Sequence, residues 1–304
     1  MPIRLRAPWR AALAAAAAPA LLAACATPLQ PVADFGGAAT HLAVVYKPFA
    51  TGLGTSCEQR LRYQAIGTPG PFDDASAQAD AARECGPLKK EAATAALFAQ
   101  ALSDYATALV KVAGTKPTAY DSDIKGISST ADKLENREGT ALFDNHKVNA
   151  ASKIARAAAA MVLQVQTQRL ARSTLEENQT ALATVVDAMK TYAGAIYAGQ
   201  LQDTQDVMKG ELGRLVRASN APTQADVEAR LPWRWAQTAT RADIAANELE
   251  ARRVKAFAAA ADALVAAHAD LIANFDKIGG ARRLELVSAF VAQAQAINDD
   301  AAAL

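Results

Sequence analysis

The chain has 304 residues, 51% apolar but only 6% aromatic, with a formal charge of +1. So even a balance implies no basic face and argues against a nucleic-acid partner. Much of the apolar share is alanine, the best helix former but a poor core filler, which favours long thin bundles over a thick globular core.

The first element reads as an export signal. Arg4, Arg6 and Arg10 form a basic leader, and Ala11 to Ala24 is apolar, with Leu13, Leu21 and Leu22 as its bulky members. The run is shorter than the roughly 20 residues that span a bilayer, and Pro19 interrupts it. Removing residues 1–24 takes away three arginines and no acid, so the charge of the remainder falls from +1 to −2. A signal of this kind can be cleaved at a small-residue site and leave a soluble protein. The end of this one favours a different outcome. Leu22-Ala23-Ala24-Cys25 resembles the lipobox of bacterial lipoprotein precursors, a resemblance confined to residues 1–25. It implies that Cys25 receives a diacylglycerol on sulfur, that the signal is cut before it, and that the new amine is often acylated too. The chemistry requires a cysteine because a thiolate is the nucleophile. One acyl chain anchors marginally, whereas two or more hold firmly at about 0.8 kcal/mol per buried CH2. The same resemblance implies that Ala26, not being aspartate, directs the protein to the outer membrane, facing the periplasm. Residues 25–35, with Pro28 and Pro31, read as an extended tether, and residues 36–304 as a helical bundle domain.

Helical periodicity dominates the rest. The first helix is expected from Ala38 to Ile66, with Leu42, Tyr46, Phe49, Leu53, Cys57 and Leu61 on one face, a kink at Pro48 and weak points at Gly52 and Gly54. A turn at Gly67-Thr68-Pro69-Gly70-Pro71 follows, and Asp73 or Asp74 caps a second helix. That helix should end at Val112–Gly114, broken or bent at Gly86-Pro87. Cys57 and Cys85 are equidistant from Pro71. In an antiparallel hairpin such residues face each other, so the spacing predicts a disulfide clamping the two helices, worth about 3.5 kcal/mol in the chain-entropy model. A redox role has neither a CxxC spacing nor a paired histidine to support it.

Residues 115–145 are more polar, with a short helix expected over Ser129–Glu138. A helix from about Asn145 to Arg172 follows, buried through Val148, Ile154, Ala158, Met161 and Val165. Ser173-Thr174-Leu175-Glu176 fits a capping box, either opening a new helix or lying inside a continuous one. The next helix reaches Ala218. Its stripe repeats by seven at Leu175, Leu182, Met189 and Ile196, then resumes at Leu201, Met208 and Leu215. The step of five from Ile196 to Leu201 is a phase change, which predicts a kink, bulge or new packing partner between Gly194 and Gly199; a close helix crossing is the preferred use of those glycines. Asn220-Ala221-Pro222-Thr223 is a turn. A long helix from Pro232 to Ile278 carries a seam at Phe257, Ala261, Leu264, His268, Leu271 and Phe275, and a last helix spans Arg282 to Leu304. No run after the signal reads as long enough to span a membrane. The expected fold is all-α, an elongated bundle of six or seven helices without a β-sheet.

No catalytic arrangement emerges, and no cofactor or metal is expected. His41, His146 and His268 lack a second ligand three or four residues away. His268 lies in an apolar seam, so its plain reading is a hydrogen-bonded core histidine, with a haem or metal contact as the alternative. Asp121, Asp123 and Gly126, with Asp132 at the twelfth position, partly resemble an EF-hand loop, but Lys125 puts a positive charge among the ligands. Leu231-Pro232-Trp233-Arg234-Trp235 reads either as an aromatic plug closing the bundle or as an interface, since Trp and Arg are enriched at hot spots. The chain is therefore expected to be a non-catalytic envelope lipoprotein, a scaffold or docking module for another envelope protein. The alternatives are a ligand carrier for haem, metal or lipid, and a membrane-active helical protein.

Overall fold

The computed structural model describes residues 29–68, 70–71, 73–114, 129–163, 168–220, 227–277 and 285–302. The lipobox with Cys25, and Asp121 to Gly126 of the EF-hand-like loop, lie outside them. Among the described residues there is no strand. Seven long helices make the bundle: α1 (Gln30–Gly67), α2 (Asp74–Ala113), α3 (Asn145–Leu163), α4 (Gln168–Thr191), α5 (Ala198–Ser219), α6 (Val227–Ala273) and α7 (Glu285–Ala302). A short helix over 129–135 joins α2 to α3.

Several expected boundaries shift: the helix expected over Asn145–Arg172 ends at Leu163, the next begins at Gln168, and the long helix expected from Pro232 to Ile278 runs from Val227 to Ala273. Helix α1 begins at Gln30, so residues 30–35 are helical rather than extended tether. Pro31 sits at the start of the helix, where its missing N–H has no intrahelical acceptor to lose. Val32 and Phe35, one turn apart, are fully buried, which rewards the extension. Helix α2 runs unbroken through Gly86-Pro87. The carbonyl of Arg83, which Pro87 leaves without its helical donor, lies on an exposed turn where water can satisfy it. At the other end of α2, the Asp73 side chain accepts from the Ala75 N–H at 3.1 Å, as a cap should. Ser173 does not open a helix; it lies inside α4 and donates to the Leu170 carbonyl.

The phase change does mark an irregularity. Tyr192–Tyr197 forms a π-helical turn between α4 and α5, and the extra residue resets the stripe. Gly194 and Gly199 do not serve a close crossing. Both are exposed, and an added Cβ at either would meet nothing within 4 Å. The close approach lies across the interface, at Gly52 of α1, where a Cβ would stand 2.5 Å from the Tyr197 hydroxyl.

Helices α1 and α2 pack as the most extensive pair and are joined by the Cys57–Cys85 disulfide, with Cα atoms 5.9 Å apart. The run α4–π–α5 lies beside α1 and in the same direction: the Tyr192 hydroxyl donates to the Ala50 carbonyl at 3.0 Å, and Ser56 and Thr204 share a hydrogen bond of 2.9 Å. Helix α6 runs the opposite way, with Phe257 against Tyr46 and His268 against Phe35. Its 47 residues span about 70 Å at 1.5 Å per residue. Helices α3 and α7 complete only the end that holds the start of α1. The stretch Leu231–Ala273 is long and apolar enough to cross a membrane by length and composition, against the expectation that no such run follows the signal. Alanine accounts for this, and in the bundle α6 packs on α1, α4, α5 and α7.

Candidate functional site

The two sequence features singled out for function sit at opposite ends. His268 is 1% exposed. Its Nε2 shares a hydrogen bond of 3.1 Å with the Tyr105 hydroxyl, and its ring lies 5.6 Å from that of Phe35. Burial lowers its pKa to about 4, so it is a neutral imidazole at ordinary pH. The same burial pushes the Tyr105 hydroxyl well above its usual range. His268 and Tyr105 satisfy each other inside an apolar layer, the arrangement of a core histidine. Among the described residues no group of three or more His, Cys, Asp and Glu side chains could hold a metal ion.

Trp233, Arg234 and Trp235 lie near the start of α6, at the end of the rod formed by the α1–α2 turn. Pro232 is inside the helix, so the two tryptophans, two residues apart, diverge by about 200° around its axis. Trp235 is 79% exposed and therefore plugs nothing. Leu231 is exposed as well, and Arg234 makes no ion pair among the described residues. Trp233 is 36% exposed and turns toward α1 and α5.

There it forms one wall of a groove of about 590 Å³. Three helices contribute residues at helical spacing: Tyr63 and Ile66 from α1, Arg214, Leu215 and Ala218 from α5, and Ala236 and Thr240 from α6 among them. The Tyr63 hydroxyl donates to Asp243 Oδ2 at 2.7 Å and ties α1 to α6 across the floor. Burial, with the help of this bond, raises the Tyr63 pKa to about 12. Glu211 pairs with Arg214 at 2.7 Å, and Arg214 also donates to the Gly67 carbonyl at the end of α1. Gln237 reaches back to Ser219 Oγ at 2.8 Å and fastens α6 to the end of α5.

Sequence reasoning singled out the tryptophans but not this groove. Its residues come from three helices and are spread between positions 59 and 243, and they form no local motif. The one available signal was the helical angle between Trp233 and Trp235, hidden because Pro232 reads as a helix start. Comparison with family models, with curated proteins and with solved structures finds no match to this chain.

Proposed function

We infer that the protein is a lipid-anchored envelope lipoprotein of the outer membrane, facing the periplasm, whose helical rod serves as a non-catalytic docking module. Cys25 supplies the anchor. The start of α6, carrying Leu231, Arg234 and Trp235, is the contact surface for another envelope protein. The observation that carries the reading is the position of the exposed apolar side chains. Trp235 and Leu231, four residues apart on one face of α6 with Arg234 beside them, are two of the six large exposed hydrophobics among the described residues, and two more, Trp233 and Ile66, lie at the same end of the rod on the groove side. Scattered surface apolar residues need no explanation, whereas a cluster with tryptophan and arginine has the composition of an interface. The 38 residues of α1 carry that end about 55 Å from the helix start. Tethering would confine partners to one membrane and raise their effective concentration. The carrier alternative gains nothing from His268, whose Nε2 already has a partner and which lies inside packed aromatic rings.

A photo-crosslinking residue placed at Trp235 in cells should trap a discrete partner, and the same residue at Val44, also exposed, should not. Identical adducts at both positions, or none at Trp235, would remove the docking surface. Cys25→Ser should abolish palmitate labelling and release the chain from the membrane fraction; retained labelling would refute the anchor.

A further inference from the structure

We propose that the rod carries a hinge at mid-height, where α1 passes Gly52 and Ser56, about which the end with Trp235 swings against the end with the start of α1. The hinge is independent of the docking reading, because it rests on backbone and packing alone.

Contacts fix the level. Tyr192 bonds to the Ala50 carbonyl, Ser56 to Thr204, and Cys57 to Cys85, while the Tyr197 hydroxyl donates to Glu250 Oε1 at 3.4 Å. Among the described residues four helical runs cross this level, because neither α3 nor α7 packs on α5. Three of the four are weakened there, each in its own way. In α1, Pro48 deprives the Val44 carbonyl of its helical donor. In α2, Gly86-Pro87 does the same for Arg83. Between α4 and α5, the π-helical turn replaces regular α-helix, with Gly194 inside it and Gly199 just beyond. A Cβ added at Gly86, Gly194 or Gly199 would meet nothing within 4 Å. Packing therefore does not call for glycine at these positions, where alanine would make a more stable helix. The fourth run, α6, holds no glycine or proline after Pro232, so it is the continuous spring that curves smoothly and limits the swing. The core changes at the same level. Tyr46, Phe49 and Leu53 are buried on one side of it, whereas the buried side chains at it include Ser56, Thr204 and Gln205. Such polar contacts can re-form after a small displacement, which interdigitated rings resist. The disulfide stands at the edge of the level and makes the far parts of α1 and α2 one body. Kinks at proline, glycine and π-turns reach about 20° and more. Trp235 lies about 22 Å beyond Glu250 along α6, so a bend of about 20° carries it about 8 Å.

Distances between paired spin labels in the full chain test this, with the labels carried on unnatural amino acids so that the disulfide stays intact. Ala79, Thr238, Ala160 and Ala292 are exposed sites for them. Ala79 with Thr238 reports on the far end, Ala160 with Ala292 on the packed end, and Ala79 with Ala292 spans the hinge. The spanning pair should give a distance distribution at least about twofold wider than either of the others. Replacing Gly86, Pro87, Gly194 and Gly199 together by alanine should narrow it to the width of the within-end pairs. Gly37→Ala with Gly210→Ala changes two helical glycines that are equally open but lie away from this level, and should leave the spanning pair wide. Circular dichroism should show both variants at least as helical as the parent. Three results would overturn the proposal: a spanning pair as narrow as the within-end pairs, a width unchanged by the fourfold substitution, or equal narrowing by the Gly37 and Gly210 substitutions. A far-end pair as wide as the spanning pair would mean that the tip frays rather than swings, and would also overturn it.

Discussion

The two ends of the rod are built from the same helices but held by different forces. At the end with the start of α1, aromatic rings stack through the bundle: Phe35 on Phe290 and His268, and Tyr46 on Phe257 and Tyr192, all nearly inaccessible. At the other end, α1 has no buried residue beyond Cys57, and Ala81 and Cys85 are the only buried residues of α2 between Asp74 and Lys90. Described α6 residues up to Glu250 bury only Gln237 and Thr240. Composition explains the difference. The packed stretches interleave alanine, which lets helices approach closely, with Phe, Tyr and Leu that fill the space between them, whereas residues 58–67 of α1 and 74–90 of α2 hold no Phe and only one Tyr among many charged and polar side chains. The far end compensates with a covalent bond and directed polar ties: Cys57–Cys85, Tyr63–Asp243, Gln237–Ser219 and Arg214–Gly67. A rod stabilised by packing at one end and pinned at the other leaves apolar surface open where it is pinned.

The largest expected effect breaks the packed end. Phe257 is fully buried among Tyr46 and Phe49, so Phe257→Ala should cost about 3–5 kcal/mol from lost burial and the cavity left behind. Leu215→Ala, on the half-open groove wall, should cost less than half as much. Urea unfolding of the two variants measures both, and equal losses would mean the two ends are packed alike.

The pinned end should answer to its disulfide. Replacing Cys57 and Cys85 by Ser releases a loop with a sequence separation of 28, about 3.5 kcal/mol in the chain-entropy model. Because Asp74 to Lys90 buries so little, the loss should be local before it is global. Amide exchange should accelerate over α2 residues 74–90 and α1 residues 58–67, while the Phe98–Leu109 region of α2 keeps its protection. Uniform acceleration through α2 would show that the clamp supports the entire bundle.

His268 makes the packed end sensitive to acid. In the unfolded chain its imidazole takes up a proton near 6.5, and in the folded chain only near 4. The unfolded state therefore binds more protons across that window, and stability rises with pH through it. The contribution is fully present above about 6.5 and falls progressively as the pH drops toward 4, by a total of about 3 kcal/mol. Tyr105 and Phe35 face the ring, and neither offers a charge to offset this. Unfolding free energies of the wild type and His268→Gln should converge as the pH falls from 7 to 4. Parallel pH profiles would place the histidine in a more polar setting.

The packed end was the more legible of the two. The seam through Phe257, Leu264, His268 and Leu271 is a run of threes and fours, and the structure buries all four. The disulfide was legible because Cys57 and Cys85 are equidistant from one turn. The π-helical turn was legible because five residues separate Ile196 from Leu201, although its glycines were misread. Prolines misled most. Pro31 suggests a tether, Pro87 a break and Pro232 a start, yet each lies inside a helix; Pro31 sits in the first turn, where no helical N–H is lost, and Pro87 frees a carbonyl on the exposed turn of Arg83. The groove was not legible, since it depends on how three helices diverge once the filling side chains run out.

The smallest prediction compares two hydroxyls within one layer of the packed end. Tyr46 and Tyr192 have ring centroids 6.1 Å apart, and both are buried. The Tyr192 hydroxyl, at the first residue of the π-helical turn, donates to the Ala50 carbonyl. Among the described residues the Tyr46 hydroxyl has no hydrogen-bond partner. A buried polar group without a partner carries its desolvation cost uncompensated, while a paired one contributes about 1 kcal/mol net. Tyr192→Phe should therefore lose about 1 kcal/mol, and Tyr46→Phe should be neutral or gain about that much. Thermal unfolding of the two variants reads the sign directly. A loss in Tyr46→Phe as large as that in Tyr192→Phe would mean that a buried water satisfies the Tyr46 hydroxyl, and the packed end would then owe part of its stability to the kind of polar tie that holds the other end.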